Sequence, residues 1–113
     1  MHIAWTTVAQ LSEAESLACT AIAQNLAVCV QIDGPVVSHY LWQGKPERTQ
    51  EYRLSFKCTG TQLPALEQYV RVNHPYETPE WIVIEADQVG EKYLSWANAN
   101  SSNLPFKYSQ PSL

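Results

Sequence analysis

The segment His74-Pro75-Tyr76-Glu77-Thr78-Pro79-Glu80 gathers more groups able to do chemistry than any other stretch of this chain. Its two prolines hold the backbone extended and present one imidazole and two carboxylates. That set suits capture of a ligand or metal ion, but on composition alone a stiff connector from a helix to a strand is the favoured reading. A tight transition-metal site needs three or four nitrogen, sulfur or oxygen ligands at fixed geometry. The histidines are His2, His39 and His74, scattered along the chain, so a full ligand set would have to assemble between subunits. His2 stands at the start of a strand pattern and reads as a bystander. His39 alternates with Val37 and Leu41, which predicts a half-buried, hydrogen-bonded histidine.

A cysteine nucleophile needs a nearby base and a lowered pKa. Cys58 points into the core by strand alternation, Cys29 lies in an apolar run, and Cys19 falls off the inner stripe of its helix. None has a histidine paired with it in sequence. Their odd number and the lack of C-x-x-C spacing argue against a disulfide framework or a zinc knuckle. They read as structural thiols in a reducing cytoplasm. No nucleophile elbow, phosphate loop, dinucleotide fingerprint or zincin motif occurs, so no enzyme is expected. Lys and Arg total 7 against 11 Asp and Glu, without a basic run, which argues against nucleic acid as a partner. No apolar run approaches membrane-spanning length, and Met1 to Trp5 enters a strand pattern without signal-peptide character. A cytoplasmic protein without a membrane partner is the expectation.

The elements that must position these groups follow from periodicity. His2 to Val8 is a β-rich run. Ser12-Glu13-Ala14-Glu15 predicts a capping box, followed by Ala14, Leu17, Ala18, Ala21 and Ile22 on one helical stripe. Asn25 marks the end of that helix, since Asn tolerates the left-handed region. Val28 to Trp42 is a strand bent at Asp33-Gly34-Pro35, and Gln43 to Pro46 a turn. In the next strand Tyr52, Leu54, Phe56 and Cys58 face inward, while Glu51, Arg53, Ser55, Lys57 and Thr59 face out. Thr61 is placed to cap a second helix, with Pro64 in its first turn, Leu63, Leu66 and Val70 inside, and His74-Pro75 as the stop. Trp81 to Ile84 reads as a strand and Glu91 to Asn98 as a helix.

This order predicts an α+β chain: a ferredoxin-like βαββαβ sandwich with an extra C-terminal helix. Residues 1–100 form the domain and 101–113 a loosely ordered tail. Charged residues are 16% of the chain beside four Trp and six Tyr, so aromatic area has to be hidden. Tyr40, Trp42 and Trp81 are assigned to a sheet face that the helices leave open for a partner subunit.

Four segments carry a family resemblance: Tyr40-Leu41-Trp42-Gln43-Gly44-Lys45, Leu54-Ser55-Phe56-Lys57-Cys58-Thr59, His74 to Glu80, and Tyr93-Leu94-Ser95-Trp96. Together with the bend at Gly34-Pro35, they resemble CutA proteins from about Ile3 to Asn98. The resemblance implies a small cytoplasmic homotrimer linked to divalent-cation tolerance, with copper as the proposed guest. Of the family's copper ligands, Thr6 stands where a cysteine is expected and Asn73 where the first of two histidines is expected. His74 keeps the second. A hydroxyl and an amide replace thiolate and imidazole, so the metal reading is weak binding at most, of copper or another divalent cation, at His74. The architecture is also similar to PII signalling trimers. That alternative places a small anion or nucleotide in an inter-subunit cleft formed by Tyr40, Trp42, Lys57, Tyr76, Glu77 and Glu80, with Lys45 and Arg53 adding positive charge.

Overall fold

A computed structural model gives the structure of the chain and describes residues 1–101. The elements run β1 (His2–Val8), α1 (Leu11–Ala23), β2 (Cys29–Trp42), β3 (Lys45–Cys58), α2 (Leu63–Asn73), β4 (Ile82–Glu85) and α3 (Glu91–Asn100). One antiparallel sheet has the order β2-β3-β1-β4, the ferredoxin-like arrangement expected from the sequence. Of the expected loose tail, 101–113, all but Ser101 lies outside the described residues.

The starts of α1 and α2 differ from the expectation, while α3 starts at Glu91 as expected. α1 begins two residues earlier than Ser12 implied: Gln10 is its N-cap, and its N–H donates to the Glu13 carboxylate at 3.1 Å. Glu13 therefore serves in the third helical position of this cap. α2 is capped by Gln62 rather than Thr61, and Gln62 Oε1 accepts the Thr59 N–H at 3.0 Å. The end of α1 is as expected. Asn25 has φ +58°, Leu26 N–H donates to Ala21 O at 2.8 Å, and Asn25 N–H donates to Ile22 O at 3.1 Å. That pair of bonds satisfies the helix's last carbonyls in a Schellman motif.

α1 and α2 pack on one sheet face. Ala14, Leu17 and Ala21 of α1 and Leu66 and Val70 of α2 meet Ala4 and Val8 of β1 and Leu54, Phe56 and Cys58 of β3. Fully burying a Leu or Phe side chain contributes roughly 1.5–3 kcal/mol, so Leu54, Phe56 and Leu66 dominate this core. Ile22, assigned to the inner stripe, is exposed. Trp81, assigned to the open face, precedes β4 and packs on the helix side. Its ring centroid lies 6.4 Å from that of Phe56, and its Nε1–H donates to Glu67 of α2 at 2.9 Å.

α3 returns over the opposite face, where the Tyr93 ring sits 5.9 Å from the Lys57 ammonium. Beyond the bulge between Asp33 and Val36, β2 and β3 continue as a two-stranded hairpin closed by Gln43 and Gly44. Both turn residues have positive φ, as a two-residue hairpin loop requires. Every residue from Leu41 to Gln50 is exposed, and so is His39, contrary to its half-buried assignment. Alternation places His39 correctly on the ribbon, but no second layer covers it there.

Candidate functional site

Three of the residues singled out from the sequence, Thr6, His74 and Tyr76, meet at the C-terminal end of β1. β1 pairs with β3 along its whole length but with β4 only from His2 to Trp5, so beyond Trp5 the side away from β3 is left to the segment that precedes β4. Thr6 is completely buried there and Thr7 nearly so. α2 ends at Asn73, two residues before Pro75, and its C-cap His74 turns to extended backbone at φ −72°, ψ 136°. This change of direction carries the imidazole under the chain and onto β1, where His74 is 9% exposed.

The ring nitrogens of His74 have distinct partners. Nε2 lies 3.0 Å from Thr7 O and 3.0 Å from Thr6 Oγ1. Nδ1 accepts the Tyr76 N–H at 3.0 Å. A carbonyl can only accept, so Nε2 carries the proton and Nδ1 offers its lone pair. Thr6 Oγ1 donates its own proton to Glu80 O at 2.7 Å and presents a lone pair toward His74. The imidazole is thereby neutral and fully engaged. Burial lowers its pKa below the ordinary histidine value, opposed by the Thr7 carbonyl and the Glu13 and Glu51 carboxylates.

From this turn Tyr76 reaches β3. Its ring lies 5.0 Å from the imidazole, and its hydroxyl donates to Glu51 Oε2 at 2.8 Å. Burial, then the Glu51 carboxylate, pushes the phenol's pKa well above its usual range, with Glu13 and Tyr40 adding to the shift. Glu51 is 8% exposed, although alternation placed it with the outward residues. Tyr76 arrives from a segment 25 residues further on to cover it, which no pattern within β3 announces. Glu51 and the Thr7 carbonyl are the members of this cluster that sequence reasoning missed.

The remaining candidates are dispersed. Asn73 donates to Tyr69 O at 2.9 Å and lines a groove between α1 and α2 with Ser12, Glu13 and Tyr69. Glu77 lines a separate groove beside Glu67, Arg71 and Trp81. Glu80 contributes its backbone carbonyl to Thr6. Tyr40, Trp42 and Lys45 lie on the projecting hairpin. Arg53 is committed to Asp33 at 2.7 Å, and Lys57 lies under Tyr93. Lys57 stands six residues along β3 from Glu51, about 20 Å at strand rise. Within one chain, no anion site forms from Lys45, Arg53 and Lys57 together.

The donors at the implied copper position do not fit that metal. Thr6 offers a hydroxyl already bonded twice, the Asn73 amide is tied to its own helix, and neither His74 nitrogen has a free lone pair. Among the described residues, no group of three or more His, Cys, Asp or Glu is placed to hold a metal ion. Nor do the thiols resemble nucleophiles. Burial pushes Cys58 up to about 11, Cys19 is exposed on α1, and half-buried Cys29 lies against the Tyr93 hydroxyl.

Fold and site together define an α+β sandwich with a projecting hairpin and a hydrogen-bonded His–Thr–Tyr–Glu cluster at the end of its central strand. The family model for the CutA1 divalent ion tolerance protein matches residues 2–100, and the chain belongs to that family. It is 37% identical over 89 residues to the divalent-cation tolerance protein CutA of Yersinia pestis (strain Pestoides F), covering 79% of this chain and 75% of that one. Among solved structures, CutA from Synechococcus elongatus PCC7942 superposes with a TM-score of 0.85 at 39% identity, covering 89% of each chain. CutA1 from Oryza sativa gives 0.85 at 31% identity, over 91% of this chain and 94% of that one.

Proposed function

We propose that this divalent-cation tolerance protein works as a non-catalytic cytoplasmic homotrimer, with at most weak contact with copper or another divalent cation. The observation that carries the assembly is apolar exposure. Val37, Tyr40, Leu41 and Trp42 stand out from the hairpin, Leu41 at 74% and Trp42 at 52% exposure, while Ile82 and Ile84 are exposed on the edge strand β4. Large apolar side chains exposed together on the hairpin, and again on β4, are what a partner surface would cover. An uncovered edge strand is likewise open to pairing. The threefold form itself rests on the family resemblance. Non-catalysis is supported by the absence, among the described residues, of any thiol or imidazole poised as a nucleophile–base pair. Sedimentation equilibrium at micromolar concentration tests the assembly. A mass three times that of the chain is expected, and Trp42→Glu should lower it. A monomeric mass for the unaltered chain ends this reading.

A further inference from the structure

Beyond that reading, we infer that His74 and Thr6 form a metal-independent clasp that pins the segment after α2 onto β1, at a place where the family resemblance expects copper. The argument rests on what each donor atom is already doing. Nε2–H is shared between the Thr7 carbonyl and Thr6 Oγ1, both at 3.0 Å, and Nδ1 accepts the Tyr76 N–H at 3.0 Å. Coordination through Nδ1 would expel the Tyr76 N–H, and coordination through Nε2 would require losing its proton and the Thr7 bond. Losing the Thr7 bond leaves a carbonyl of a nearly buried residue unpaired, and losing the Nδ1 contact leaves a half-buried Tyr76 N–H without its acceptor. Thr6 closes the clasp from the other side. Its hydroxyl holds Glu80 O at 2.7 Å, so both ends of the 74–80 segment are fastened to one β1 residue or its neighbour. The clasp also aims Tyr76 at Glu51, tying the segment to β3. Where the resemblance implies a thiolate and a first imidazole, this chain has the Thr6 hydroxyl and the Asn73 amide, and its one imidazole there is spent on structure.

The inference concerns contacts within one chain, so its test reads separately from the mass measurement above. Calorimetric titration of the full chain with copper(II) and with zinc(II) should give the same isotherms for the unaltered protein, His74→Ala and His74→Asn. In parallel, hydrogen exchange at the Tyr76 amide should quicken about tenfold in His74→Ala. It should stay slow in His74→Asn, because an Asn side-chain oxygen can accept the N–H two residues on. Should His74→Ala fail to fold, imidazole nitrogen NMR of the unaltered chain decides. A protonated Nε2 and an unprotonated Nδ1, both unmoved by zinc, uphold the clasp. Saturable metal binding that disappears in both His74 variants, or a zinc-dependent shift at either nitrogen, overturns it. Unchanged exchange at Tyr76 in a folded His74→Ala overturns it too.

Discussion

The Tyr76 hydroxyl and the Glu51 carboxylate meet at 2.8 Å, joining the segment after α2 to the root of the β2–β3 hairpin. Glu51 has little solvent to replace that donor. Tyr76→Phe should therefore destabilise the fold by about 1–3 kcal/mol, the cost of an unsatisfied buried acceptor. Glu51→Gln keeps an acceptor and should cost less. Urea unfolding checks the order, and a midpoint unmoved by Tyr76→Phe would show that the bond contributes nothing.

At the bulge, Gly34 has φ +148°, and a Cβ built there would lie 2.9 Å from Glu51 O and 2.9 Å from Tyr52 Cδ1. Backbone conformation and space both exclude a side chain. Gly34→Ala should cost more than ~1 kcal/mol, seen as a lower denaturation midpoint. A neutral or stabilising result would mean the bulge relaxes freely.

Phe56 is fully buried between the sheet and the helices and touches Trp81. Phe56→Ala should lose about 3–5 kcal/mol, and Phe56→Leu clearly less, since it leaves a smaller void. Equal losses from the two variants would place the stabilisation in something other than filled volume.

The thiols should separate by reactivity. In the native state Cys19 should react first with a thiol reagent and Cys58 only after unfolding. Desolvation raises Cys58 from 9.0 to about 11. A thiol whose folded pKa exceeds its unfolded value binds more protons when folded as pH rises past 9.0. Its contribution is thus complete below that value and is lost as pH climbs toward 11. Across that window the unaltered chain should lose stability more steeply than Cys58→Ala. Parallel pH profiles would refute the assignment.

Local order was largely legible. Asn25 ends α1 because Asn tolerates positive φ, the turn expected over Gln43 to Pro46 is made by Gln43-Gly44 with Lys45 already in β3, and the inward set Leu54, Phe56 and Cys58 follows from alternation. The misplaced caps are a near miss of the same kind. Ser12 was the better N-cap by type, yet Gln10 holds the position because Glu13 reaches back to it. His39 and Trp81 differ from the expectation for another reason. Alternation tells which residues share a side, but not whether anything covers that side.

What the sequence by itself determined is therefore the set of elements, their order and most of the inward-facing residues, since these depend on bonds and periodicities spanning a few positions. Only the tertiary structure decided the state of His74. Its Nε2 partners lie 67 and 68 residues away on β1, and strand order brings them together. Whether an imidazole is a free ligand or a spent one depends on which distant atoms arrive within 3 Å of its nitrogens, and nearby sequence does not encode that.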